Sequence, residues 1–453
     1  MNNAQAQLAA FICQTRFSDF PAELVERCKR HILDTLGAAL AGVDSDVYRA
    51  VDRALSEPAP ETGAVLWGRN SVASVRQAAL LNGVAAHMYE LDDTGGCDHS
   101  GAVVLPAVLA ILPMCPQPVS GQDLIRAVVI GYEVGRRVLE ACGGYSPHNG
   151  AGWHSTATCG VFGAAAAAAS LLRLPQEKMV AALGLAGSFS GGLWAFIHDG
   201  SQSKKLHAGR AAEGGVLAAL LANESVSGPT QLFEPVWGGF LSTLAANSAQ
   251  PAALTQDLGQ VWKLLRCSIK PYASCRGVHS AIDALNVLLT RIDGDADAIE
   301  RITVSLSPFL HGMCGNCDLD SLAAAQMSLP YALAARLVHG HAGLNAYLDG
   351  NRQHPGIASM LARIELHLDP QQDSDSEPLL TLTTRRGECF SHRVEIALGS
   401  PHNPLSDAAL LEKFTALAVR ALPEPRVRAL ADLCLGLEQL ADVQPLAETL
   451  MLE

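Results

Sequence analysis

Residues Leu81 to Pro106 read LNGVAAHMYELDDTGGCDHSGAVVLP. Alanine, valine and leucine recur at helical spacing up to Met88, and three acids follow at Glu90, Asp92 and Asp93. A turn, Thr94-Gly95-Gly96, leads through Asp98 and His99 into a second apolar segment of small residues. Two apolar segments joined by a charged turn predict a helical region with its polar groups gathered at a junction. Ionisable groups in such a place need partners or a task, because an unpaired buried charge is costly.

The pattern extends outward in both directions. Residues 23–42 (ELVERCKRHILDTLGAALAG) carry apolar side chains three and four apart and end at Gly42, a suitable C-cap. Residues 121–141 repeat the pattern, and the alanine-rich run from Gly163 to Leu172 predicts a helix buried among close neighbours. The glycines of Gly184–Trp194 have neither a preceding strand nor the spacing of a dinucleotide loop. After about Cys267 the period changes. Ile299–Leu306 and Arg363–Leu368 alternate as strands do, and Leu379–Thr384 with Ser391–Leu398 predict a hairpin turning at Arg386-Gly387. Leu322–Leu337 and the region of Leu344 read as helices, and Ser406 or Asp407 can cap a helix from Ala408.

The expected fold is mainly α with an α+β part. A large all-helical domain comprises residues 1–267 and 400–453, and a smaller α+β domain with an antiparallel sheet comprises 268–399. A chain of 453 residues exceeds one ordinary core, which agrees with two domains. With 49% hydrophobic and 17% charged residues it belongs among well-buried globular chains. A net charge of −13 argues against nucleic acid and anionic membranes as partners, but not against a small anion in a pocket. The N-terminus lacks the pattern of a signal peptide, and Gly, His or charged residues interrupt every apolar stretch before it could span a bilayer. Twelve cysteines are then expected as reduced thiols in a cytoplasmic protein. The Cys314-Gly-Asn-Cys317 pair lacks the second pair that a structural zinc site needs, and no iron–sulfur set is evident.

Five clusters could carry chemistry. The first is Glu90, Asp92, Asp93, Thr94 and His99. The second is Gly152-Trp153-His154-Ser155-Thr156, which places His154 at a helix N-terminus. The third runs from Gly200 to Arg210 and includes Ser201, Lys204, Lys205 and His207, a basic patch suited to carboxylate or phosphate. The fourth, Ile269 to His279, holds Lys270, Tyr272, Cys275 and Arg276 at the expected domain boundary. The fifth, Ala325 to Tyr331, ends in a tyrosine able to donate a proton or to pack in a core. No nucleophile elbow, P-loop, HExxH or Rossmann fingerprint occurs. What remains suits proton abstraction next to a carboxylate, with cations stabilising an enediolate and His or Tyr moving protons.

Seven motifs in order resemble the MmgE/PrpD family of 2-methylcitrate dehydratases, cis-aconitate decarboxylases and iminodisuccinate epimerases. They are HILDTLGAALAG (31–42), the 81–106 stretch, GWHSTATCGVFGAA (152–165), DGSQSKKLHAGRAA (199–212), IKPYASCRGVHSAIDAL (269–285), AQMSLPYALA (325–334) and GSPHNPLSDAALLEKF (399–414). The resemblance implies a helical domain with a lid-like α+β domain, a homodimer, no cofactor or metal, and a di- or tricarboxylate substrate in the cleft between the domains. It implies His99, His154, Lys204, Lys270 and Tyr331 as catalytic groups. Glu90, Asp93, Thr94, Ser201, His207 and Arg276 would hold substrate or orient the catalytic groups. Glu90 stands where the family has aspartate, and the Thr94–His99 turn is one residue shorter than in the decarboxylases. The expected reaction is a hydration or dehydration through a proton α to a carboxylate. Epimerisation and decarboxylation are alternatives, and a carboxylate-binding protein on the same scaffold is the non-enzymatic one.

Overall fold

Close helix crossings in the first 250 residues rest on glycine and alanine. The computed structural model describes every residue except 1, 2, 56, 59, 62, 318 and 453. The helices Ala22–Gly42, Val75–His87, Ser100–Ala110, Gly121–Ala141, Gly160–Leu171 and Ser203–Asn223 share one apolar core. Every residue of the Ser100–Ala110 and Gly160–Leu171 helices is buried, as befits helices apolar all round. A Cβ on Gly83 would come within 2.6 Å of the Gly209 backbone, so only paired glycines permit this crossing. The crossing positions the site. It sets the C-terminal end of the Val75–His87 helix beside the N-terminal end of the Ser203–Asn223 helix, and so brings Glu90 to Lys204 and Lys205.

The terminal helices Asp407–Ala418, Glu424–Leu435 and Gln444–Thr449 pack into this same core through Phe414, Leu430 and Leu446. Ser406 caps the first of them by accepting from the Ala409 N–H. Lys413 on that helix donates to Asp34 and, at 2.8 Å, to the Leu91 carbonyl, anchoring the segment that carries the acids. Among the described residues no helix is long and apolar enough to cross a membrane.

The strands Ile299–Leu306, Ile364–Leu368, Leu379–Thr384 and Cys389–Arg393 form one sheet. Ile302, Val304, Leu306, Leu380 and Leu382 are buried against the His279–Leu289 helix. The expected hairpin is present, with Leu382 opposite Phe390, but its second strand is Cys389–Arg393 and stops short of the expected Leu398. The sheet differs from the expected antiparallel one in being mixed, because Ile364–Leu368 pairs parallel to Ile299–Leu306. Helices fill the connection between these two strands, and a parallel pair needs a crossover of that kind. The single helix expected over 322–337 is two, Leu322–Gln326 and Leu329–His339, since Ser328 caps a new start ahead of Pro330. A two-stranded ladder, Ala64–Val65 with Val72–Ala73, was not foreseen and is too short to show a period.

Candidate active site

The Val75–His87 helix stops just short of Glu90, which takes a left-handed backbone at φ 54°. That conformation is uncommon for a residue with a Cβ, and here it turns a buried carboxylate toward three ammonium groups. Lys204 Nζ lies 2.7 Å and Lys205 Nζ 3.0 Å from Glu90 Oε1, and Lys270 Nζ lies 3.2 Å from Oε2. Burial opposes the charge on Glu90, but Lys204, Lys205 and Lys270 together hold its carboxyl well below the usual range. Burial likewise opposes charge on Lys204 and Lys270, yet Glu90 leaves both above the ordinary lysine value. Burial prevails at Lys205, which is pushed down and also donates to Gln326 Oε1 at 3.0 Å. Three cations meet one carboxylate here, with Asp92 and Asp98 the next negative charges in their field.

Beside this cluster runs a chain of imidazoles. Asp92, fully buried, accepts from His87 Nδ1 at 3.0 Å and lies 2.9 Å from His99 Nδ1, which also meets the Asp93 carbonyl at 3.1 Å. Two imidazole partners hold the Asp92 carboxyl well below its usual range despite burial. Burial lowers His87 to about 4, so it is neutral at physiological pH. Burial also opposes charge on His99, but Asp98 and Asp92 raise it above the ordinary value, so an imidazolium is favoured there. Asp98 accepts from Thr94 Oγ1 at 2.9 Å, lies 3.5 Å from His99 Nε2, and adopts φ 106°, a strained value for a non-glycine residue.

These groups open on a cleft of about 780 Å³. Glu90, Thr94, Asp98, His99, Lys204 and Lys270 line its floor, and Cys275 and Arg276 line it from the α+β side. Trp194 also lines the wall, with Lys204 Nζ 5.8 Å from its ring centroid. Arg276 pairs with Glu377 at 2.8 Å, so its charge is already met.

Other residues singled out by sequence stand elsewhere. His154 is fully buried behind Asp98, 3.8 Å from its carboxylate, and shares a proton between its Nδ1 and that of His207 at 2.8 Å. Burial and the neighbouring cations keep both rings neutral, His154 well below its ordinary value and His207 at about 4. Asp93 points away from the cleft. Its carboxylate is taken up by His31 Nδ1 at 2.9 Å, the Tyr132 hydroxyl and the Gly101 N–H. Tyr331 is buried with its hydroxyl donated to the Ala346 carbonyl and its ring against Tyr347. The motif it ends meets the site through Gln326 instead. Ser201 bonds locally to Asp199 and Ser203, outside the cleft.

Sequence reasoning placed Asp92 and Lys205 in candidate clusters but gave neither a role, and it assigned none to Asp98, His87 or Gln326. Lys205 follows Lys204, and neighbours on a helix point about 100° apart, so one inward lysine argues against a second. Glu90 reaches both because it approaches the helix end-on.

Ligand atoms of His87, Asp92 and His99, and of Asp98, His99 and His154, lie close enough to hold a metal ion. Asp92 already bridges two imidazoles and three lysines stand nearby, so the local field disfavours a divalent cation.

Residues 6–252 match the MmgE/PrpD N-terminal domain and residues 272–438 match the MmgE/PrpD C-terminal domain. A cis-aconitate decarboxylase of Aspergillus terreus is 30% identical over 480 residues, which cover 99% of this chain and 97% of that protein. The cis-aconitate decarboxylase of Homo sapiens is 29% identical over 444 residues, with 94% and 90% covered. A cis-aconitate decarboxylase-like protein of Aspergillus oryzae is 29% identical over 468 residues, with 98% and 96% covered. Decarboxylases are lyases, and this chain is an enzyme of the lyase type. Its two domain matches, which together span most of its length, make it a member of the MmgE/PrpD family.

Proposed function

We propose that the chain acts on an unsaturated di- or tricarboxylate of the cis-aconitate kind, and that it removes one carboxylate as carbon dioxide. The observation that carries this reading is the lysine cluster at the cleft floor with the His99 imidazole beside it. Lys204 and Lys270 would bind the remaining carboxylates. As the carbon–carbon bond to the departing carboxylate breaks, its electron pair moves toward a neighbouring carboxylate, where fixed cations in a dry site stabilise the developing charge. His99, oriented by Asp92 through its Nδ1–H, then delivers its proton to carbon from the other ring nitrogen. Decarboxylation needs a single proton donor, and one imidazole lines the cleft.

Dehydration is the second reading. It needs both a base for the α proton and an acid for the departing hydroxyl. Asp98 favours it, lining the cleft 3.5 Å from His99 and 3.8 Å from His154.

The test is incubation in heavy water with cis-aconitate and, separately, 2-methylcitrate, followed by carbon dioxide measurement and proton NMR of the products. Carbon dioxide from cis-aconitate with one deuterium on product carbon is expected. An alkene formed from 2-methylcitrate without carbon dioxide would favour dehydration. Thermal stabilisation by both acids with turnover of neither would point to a binding protein and overturn the enzymatic reading.

A further inference from the structure

Cys275 lines the cleft, half-buried, at the edge of the cationic floor. Its backbone N–H is held by the Gln326 carbonyl at 2.9 Å, which ties it to the residue that also holds Lys205. Its thiol partner is not predicted by the Cys-x-x-Cys spacing. Cys317 is exposed, while Cys314, at the end of the Pro308–Cys314 helix, is buried and is the free thiol that acts as hydrogen-bond partner to the free Cys275. The Cys314 thiol, the ammonium groups of Lys204 and Lys270 and the Gly277 N–H act electrostatically on the Cys275 sulfur, and Lys204, Lys270 and Gly277 line the same cleft. Each of these stabilises a negative sulfur, and together they hold Cys275 below the usual thiol range against the effect of burial. Cys314 is pushed the other way, first by its hydrogen bond to Cys275 and then by burial.

We propose that Cys275 is a covalent modification site whose sulfur adds to the β-carbon of an unsaturated dicarboxylate seated on Lys204 and Lys270. The inference rests on the carboxylate-binding reading of the cleft. The same two lysines that would anchor the acid also favour the attacking thiolate, so nucleophile and electrophile are drawn to one floor. In the addition a sulfur–carbon bond forms as the π pair of the alkene moves to the α-carbon. That carbanion, stabilised as an enediolate by the lysines, takes a proton from solvent. Nothing is oxidised or reduced, and the net change is addition of S–H across the double bond. The adduct fills the cleft, so an unsaturated acid can inactivate the enzyme that handles it.

The experiment uses the full chain and maleate, with the modified cysteine located by peptide mass spectrometry. One maleate on Cys275 is expected, slowed by saturated succinate and lost in Cys275→Ser. N-ethylmaleimide, which is uncharged, separates the two halves of the argument. Its rate at Cys275 should change less than twofold between pH 7 and 8, whereas at the exposed Cys317 it should rise about tenfold, as thiolate fraction does for an ordinary thiol. Cys314→Ala should restore a steep rise at Cys275. The proposal is overturned if maleate leaves Cys275 unmodified, if it modifies Cys317 or Cys389 as fast, or if the N-ethylmaleimide rate at Cys275 climbs tenfold with pH. A maleate adduct on Cys275 in a chain that turns over no acid would sustain this proposal while sinking the lyase reading.

Discussion

Glu90 and Asp93 lie three residues apart, are equally buried, and end in the same functional group. Asp93 meets an imidazole, a phenol hydroxyl and a backbone N–H, which together use its oxygens and anchor the Ser100–Ala110 helix by its Gly101 N–H. Glu90 meets three ammonium groups, more positive charge than it can balance. Neither burial nor charge separates the two carboxylates. What separates them is whether the surroundings are complete. A carboxylate whose oxygens are both taken by fixed protein groups is a structural device, as in Glu133, which accepts from the Arg137 guanidinium and the Lys263 N–H. A carboxylate that faces three cations at the lining of an open cleft leaves those cations within reach of an anion from outside.

Three variants bear on this contrast, beginning with the greatest effect. Lys204→Ala removes one fixed cation while Lys205 and Lys270 still hold Glu90. Turnover of the accepted acid should fall by about 10²–10³, the loss typical of one transition-state donor, with little change in unfolding. Unaltered kcat with a raised KM would reduce Lys204 to simple substrate binding. Asp93→Asn should act in the opposite way. An amide nitrogen facing the His31 and Tyr132 donors leaves buried polar groups unpaired, at a cost of about 3 kcal/mol in urea unfolding. Folded Asp93→Asn should retain turnover within about threefold, and a loss as large as that of Lys204→Ala would erase the distinction drawn above. Tyr331→Phe is the mildest. It gives up one hydrogen bond to Ala346, worth about 1 kcal/mol, and should leave kcat and its pH profile in place. A kcat loss beyond about tenfold would return Tyr331 to the catalytic groups.

Much of the fold was legible because periodicity is local. The helix expected over 121–141 and the strand over 299–306 occur with those bounds, since each pattern buries one face wherever the element packs. The parallel pairing of Ile364–Leu368 was not legible, because alternation tells a strand's faces and not its neighbour's direction. The site was legible in part for a similar reason. Residue types and motif order picked out Glu90, His99, Lys204 and Lys270, all of which reach one cleft.

What the sequence determined by itself is therefore the inventory: which segments are helix or strand, and which ionisable groups are present to be gathered. The tertiary structure decided the partners. It gave Asp93 to His31, Tyr132 and Gly101 and Tyr331 to Ala346, put His154 behind Asp98, and set Cys314 rather than Cys317 to act on Cys275. The reason is physical. Secondary structure follows from neighbours along the chain, whereas the charge state and duty of a buried group follow from the few atoms around it. Here those atoms come from segments as distant as Glu90, Lys204 and Lys270, brought together by one glycine–glycine crossing and by the meeting of the helical and α+β parts.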